Sequence, residues 1–291
     1  MFTGSLVALV TPMTVDGRID MGCMERLIDW HVEQGTAGIV VAGTTGESAT
    51  MDKSEHAEIL LAAAEIAAER VPIIAGTGSN STQQTIDLSL AVAHSTIAAY
   101  LIVTPYYNKP TQDGLYQHFW AIADAVEKPV MLYNVPGRTA VDLMPTTVAR
   151  LAEHPQIFGI KEATGDLDRV AEIQGSCGTD FALYSGDDAT SREFMLRGGS
   201  GVVSVTSNVA PRLMADMCLA ALGRDAKTAA EIDSSLSDLH RDLFVESNPI
   251  PVKWALERLG MIPGGLRLPL TRLIEAHQPI VEAALGKAGL V

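Results

Sequence analysis

A chain of 291 residues, 47% of them hydrophobic, can bury a sizeable core; that argues against disorder and leaves two small domains or one large α/β barrel. A formal net charge of −14, with few and scattered Lys and Arg, argues against a nucleic-acid footprint or an anionic-membrane surface. Small anionic substrates stay open, because one cation inside a pocket outweighs a screened distant field.

The opening stretch "MFTGSLVALVTPM" lacks a basic flank and a long apolar run, so it reads as a strand rather than a signal peptide. Short apolar runs then recur: "SLVALVTP" (5–12), "GIVVAGTT" (38–45), "PIIAGTGS" (72–79) and "AAYLIVTPYY" (98–107). They continue with "PVMLYNVP" (129–136), "IFGIKEAT" (157–164), "FALYSGDD" (181–188) and "GVVSVTSN" (201–208). None alternates apolar with polar, so each is expected to be buried on both faces, as parallel-sheet strands are.

Helix-like segments lie between them. Residues 51–70 start at Asp52 as N-cap with Glu55 three residues on, and residues 80–94 and 111–127 show apolar residues at helical spacing. Residues 189–199 end in a glycine pair suited to a helix C-terminus. This alternation predicts an α/β fold, a (β/α)8 TIM barrel over residues 1–222. An open doubly wound sheet is the alternative, but no G-x-G-x-x-G follows the first strand. Residues 223–291 read as a C-terminal helical extension, with helices over 223–245, 248–260 and 269–289.

No segment reaches membrane-spanning length. Cys23, Cys177 and Cys218 are odd in number and far apart, as expected for reduced thiols, and the seven histidines show no metal spacing. A cytoplasmic protein without metal is the expectation.

In such barrels the chemistry sits at the C-terminal ends of the strands. Lys161 is the outlier there, an ammonium ending the apolar run "IFGI". A salt bridge with Glu162 is a poor explanation, because adjacent strand residues face opposite ways. The functional reading is a Schiff-base nucleophile, which reacts as the neutral amine that an apolar pocket favours. The other lysines, Lys53, Lys109, Lys128, Lys227, Lys253 and Lys287, lie in helix, loop or tail contexts and read as solvated. Tyr133 ends the preceding strand, where a phenol would shuttle protons beside the amine, with Thr44 and Tyr107 as further hydroxyls. The small residues of "GTTGE" would let Thr44, Thr45 and backbone N–H groups approach a carboxylate. Arg138, after a Pro-Gly turn, has the fork geometry to clamp a second one.

Together "GTTGES", "VTPYYNKPTQ", "YNVPGRT", "GIKEATGD", "YSGDD" and "ESNPIPVKWAL" resemble the dihydrodipicolinate synthase family over essentially the whole chain. That family lies within the pyruvate-dependent class I aldolases, a superfamily that also holds N-acetylneuraminate lyase. The resemblance implies a carbon–oxygen lyase in which Lys161 forms an imine with pyruvate. The derived enamine would attack L-aspartate 4-semialdehyde to give 4-hydroxy-tetrahydrodipicolinate, in lysine and diaminopimelate synthesis. It also implies a Tyr133, Thr44 and Tyr107 relay, with Tyr107 lent by a neighbouring subunit of a homotetramer. Thr45 would hold the pyruvate carboxylate and Arg138 that of the semialdehyde, with Gly186 and Val203 lining the pocket. No metal or organic cofactor is implied.

The family's lysine-effector site maps to Ser48, Ala49, Lys53, His56, Asn80, Gln84 and Tyr106. Sensitive members usually carry histidine at Lys53 and glutamate at Gln84, so weak or absent feedback by lysine is expected. "AHSTIAAYL" (93–101) replaces a usual glycine-alanine-aspartate near the family's dimer contact. The alternatives are a sister lyase of the N-acetylneuraminate type, against which Arg138 counts, and a catalytically silent binding barrel.

Overall fold

The computed structural model describes residues 2–291. Its first half runs β1 (Gly4–Ala8), α1 (Met21–Glu33), β2 (Gly38–Val41), α2 (Lys53–Ala67), β3 (Ile73–Gly76), α3 (Thr82–Ala91), β4 (Ala99–Val103), α4 (Gln112–Ala125) and β5 (Val130–Asn134). It continues through α5 (Pro136–Thr139), α6 (Pro145–Leu151), β6 (Ile157–Glu162), α7 (Asp168–Cys177), β7 (Ala182–Ser185), α8 (Asp188–Leu196), β8 (Gly201–Ser204) and α9 (Pro211–Leu222). The extension holds α10 (Ala226–Asp242), α11 (Ile250–Arg258) and α12 (Gln278–Lys287).

The eight strands pair in sequence order, all parallel, and β8 returns to β1 to close the barrel. Closure brings backbones close: a Cβ at Gly201 would stand 2.2 Å from the Gly4 carbonyl oxygen, so this step of the β8–β1 seam requires glycine. Alternate strand residues divide between two apolar clusters. Leu6, Val40, Ile74, Leu101, Met131 and Val203 fill the barrel, while Val7, Ile39, Ile73 and Ile102 pack outward under the helices. The apolar runs lack alternation because both faces are buried.

Side chains from just outside the helices set several starts. Asp52 accepts from the Glu55 N–H at 2.9 Å, and Ser81, Thr111, Asp187 and Asp225 cap α3, α4, α8 and α10 in the same way. Glu55 does not complete a capping box; its carboxylate is bound by Arg267. The outer cluster continues through Leu236 and Leu239 of α10, Val252 and Leu256 of α11, and Val281 and Leu285 of α12, so the extension shares one core with the barrel.

Two expectations require correction. The helix read over 269–289 is confined to Gln278–Lys287, because Arg267 and Arg272 tie the preceding loop to Glu55 and Glu257. Lys253 is not solvated: it is 1% exposed and paired with Glu47. In the unusual 93–101 segment α3 stops at Ala91, and the Ser95 hydroxyl donates to the Val92 carbonyl at 2.7 Å. The Lys128 ammonium donates to the Ser95 and Ile97 carbonyls, both at 2.9 Å, so a cation rather than a glycine closes this turn. The cysteines are unpaired, and among the described residues no helix is long and apolar enough to cross a membrane.

Candidate active site

Parallel register between β5 and β6 sets Tyr133 beside Lys161 and Asn134 beside Glu162. The pleat then sorts the two pairs. The first faces inward: Lys161 is 6% exposed and its Nζ lies 4.2 Å from the centroid of the Tyr133 ring. The second faces outward, where Glu162 accepts from the Asn134 amide at 3.1 Å and from the Thr164 N–H at 2.9 Å. Arg169 reaches Glu162 at 3.4 Å and is bound in a fork by Asp142. Burial pushes the Glu162 carboxyl above its usual range, with its hydrogen bonds and Arg169 opposing. Glu162 therefore belongs to a clamp on the strand ends, as the alternation of side chains predicts, and Lys161 meets an aromatic face instead of a carboxylate.

β7 supplies room for the amine. A Cβ at Gly186 would lie 2.5 Å from the Ala163 Cβ and 3.0 Å from the Lys161 Cε, so any other residue would crowd the Lys161 side chain. The adjoining Asp187 is a helix cap, accepting from Thr190. Val203 of β8 is buried in the same inner cluster as Tyr133.

The loop after β2 presents Thr44 to a cavity of about 400 Å³ that Arg138 also lines. Thr45 is buried, and its Oγ1 accepts from the Asn248 side chain at 3.0 Å. Arg138, in the last turn of α5, donates to the Asn248 carbonyl at 3.1 Å. Ser48, Ala49, Lys53, His56, Gln84 and Tyr106 line that same cavity, so six of the seven residues expected at an effector site come together. The seventh, Asn80, donates to the Tyr106 carbonyl at 3.2 Å. Burial pushes the His56 imidazole below its ordinary value, with its hydrogen bond to the Gly76 carbonyl opposing.

Tyr107 stands apart. It is 90% exposed on a left-handed backbone (φ 73°), and it does not line the cavity that holds Thr44 and Arg138. Among the described residues no cluster of His, Cys, Asp or Glu has a metal-binding arrangement. Three contributors escaped the sequence reading: Asn248, the Lys253–Glu47 pair and the Arg169–Asp142 clamp. The only signal for the first two was "ESNPIPVKWAL", a motif without a visible partner.

A closed barrel with a buried, carboxylate-free amine against a phenol at the strand ends defines an imine-forming lyase of the class I aldolase type. Comparison narrows the class: the Dihydrodipicolinate synthetase family matches residues 1–288, and the chain belongs to that family. It is 56% identical over 291 residues to the 4-hydroxy-tetrahydrodipicolinate synthase of Methylococcus capsulatus, covering 100% of both chains. The corresponding synthase of Laribacter hongkongensis is 55% identical over 291 residues, again with 100% of each chain covered. Among solved structures, the chloride-inhibited dihydrodipicolinate synthase from Acinetobacter baumannii, complexed with pyruvate, superposes with a TM-score of 0.98 at 50% identity. That match covers 100% of each chain.

Proposed function

We propose that this protein condenses pyruvate with L-aspartate 4-semialdehyde to 4-hydroxy-tetrahydrodipicolinate through an imine on Lys161. The observation that carries the reading is the Lys161 amine, buried, free of Glu162 and 4.2 Å from the Tyr133 ring centroid at the strand ends of a family barrel.

The neutral amine adds to the pyruvate keto carbon, and loss of water from the carbinolamine leaves the imine. Loss of a methyl proton gives the enamine, whose carbon attacks the aldehyde. The semialdehyde's amino group then displaces Lys161 from the imine carbon and closes the ring, so one water leaves per turnover. Tyr133 carries protons to and from the carbinolamine oxygen, relayed through Thr44 and Tyr107. Because Tyr107 is exposed and lies outside the cavity of its own chain, it serves the site of a neighbouring copy. A homotetramer of two such dimers meets this need. Thr45 and the loop amides hold the pyruvate carboxylate, Arg138 holds that of the semialdehyde, and Gly186 and Val203 shape the wall. The imine is itself the electron sink, so the chemistry calls for no metal or organic cofactor, and the cytoplasm is the compartment that suits it. Residues 1–222 act as the catalytic barrel and 223–291 as its helical extension.

The charged side chains lining the effector cavity are Lys53 and Arg138, both cationic. A cationic effector meets repulsion there and no carboxylate, so lysine inhibits weakly or not at all. Borohydride trapping with pyruvate, read by mass spectrometry, tests the central reading: an adduct on Lys161 is expected, and its absence overturns the imine mechanism.

A further inference from the structure

The segment "ESNPIPVKWAL", at the start of the extension, reaches the loop after β2 at two points. Asn248 is 6% exposed; its Nδ2 donates to the Thr45 hydroxyl at 3.0 Å, and its main-chain carbonyl accepts from Arg138 at 3.1 Å. Five residues on, Lys253 pairs with Glu47, whose other carboxylate oxygen accepts from the Arg267 N–H at 3.2 Å. Glu47 sits on a left-handed backbone (φ 59°), a conformation that these contacts hold.

The direction of the Asn248 hydrogen bond has a chemical consequence. A threonine hydroxyl carries one proton and two lone pairs. An amide N–H occupies a lone pair and cannot accept, so the Thr45 proton is left for another acceptor. Among the described residues the Thr45 hydroxyl donates to no protein group, and the Asn248 Oδ1 is buried without a partner. Reversing the amide would leave both its N–H groups without a partner, where the observed orientation leaves Oδ1 and one N–H, and it would tie up the Thr45 proton.

We propose that Asn248 is a positioning residue that makes Thr45 a hydrogen-bond donor to the pyruvate carboxylate and anchors Arg138 over the second substrate's site. The inference rests on the carboxylate-binding reading of Thr45 and Arg138 given above. It makes the extension part of substrate recognition, through one side chain acting on another.

The test is a double-mutant cycle on the full-length enzyme, read as KM for pyruvate and kcat separately. Asn248→Asp keeps the shape but turns the donor into an acceptor that captures the Thr45 proton. Its KM for pyruvate is expected to rise about tenfold, the scale of one lost charge-assisted hydrogen bond, with kcat changed less than about threefold. In a Thr45→Val background the substitution has no further effect on KM. Unchanged KM in Asn248→Asp, or a full additive effect beside Thr45→Val, overturns the proposal. If Thr45→Val alone leaves KM unchanged, the carboxylate reading of Thr45 fails instead, and the proposal with it. Asn248→Ser, uncharged and smaller, runs the same cycle should the aspartate variant not fold.

Discussion

Two lysines are buried, one at the end of a barrel strand and one in the helical extension, and they do opposite things. Lys253, 1% exposed, is locked to the Glu47 carboxylate; Lys161, 6% exposed, faces the Tyr133 ring. Burial lowers the Lys253 ammonium below its ordinary value, while the charge of Glu47 and its hydrogen bond oppose that shift. A buried amine with a carboxylate partner stays a cation and acts as a strut. One without such a partner is held by no carboxylate and stands free at the mouth of the barrel for an incoming carbonyl carbon. Local sequence singled out Lys161 but left Lys253 reading as solvated, because its partner Glu47 lies far away along the chain.

The comparison breaks most sharply on Lys161→Ala, which is expected to lower kcat at least about 10³-fold and abolish the borohydride adduct. Lys253 should take no label in that variant, and labelling there would erase the distinction. Tyr133→Phe comes next, with an expected loss of about 10²–10⁴-fold in kcat and little change in stability, since only a proton-carrying hydroxyl is removed. Lys253→Met acts on stability instead. It leaves Glu47 charged and buried, at a cost of about 3–5 kcal/mol in urea unfolding, and Lys253→Met with Glu47→Leu should recover most of it. Full adduct formation in the recovered double variant would mark Lys253 as structural alone.

His31 extends the contrast to a buried group with no charge partner. It is fully buried, bonded only to the Thr36 hydroxyl, and burial pushes its imidazole down to about 3. Below pH 6.5 the unfolded chain binds the proton that the folded imidazole refuses, so stability falls as pH drops toward 3. The slope from this group is about 1.4 kcal/mol per pH unit. Urea midpoints at pH 7 and 5 should therefore differ less in His31→Gln than in the wild type. The smallest expected effect is that of lysine on the wild-type rate, where potent inhibition below a millimolar would contradict the cationic lining of the effector cavity.

Much of the fold was legible in order along the chain. Eight apolar runs, each ending in small or polar residues, became eight parallel strands, and Lys161 fell at the end of the sixth. Strand periodicity alone ruled out Glu162 as its partner, and the structure turned Glu162 outward to Asn134 and Arg169. Legibility failed where the pattern was local but the partner was not. Residues 269–289 have helical spacing, yet arginine contacts to distant glutamates hold their first part open.

The sequence by itself determined the strand and helix alternation and placed the Lys161 amine at a strand end with the Tyr133 phenol one strand away, because backbone periodicity and burial act over a few residues. Tertiary structure alone decided that Lys253 is a strut and what orients Thr45. Lys253 meets Glu47 across 206 residues and Asn248 meets Thr45 across 203. Electrostatic pairing depends on distance in space, and only closure of the barrel under its helical extension brings those groups together.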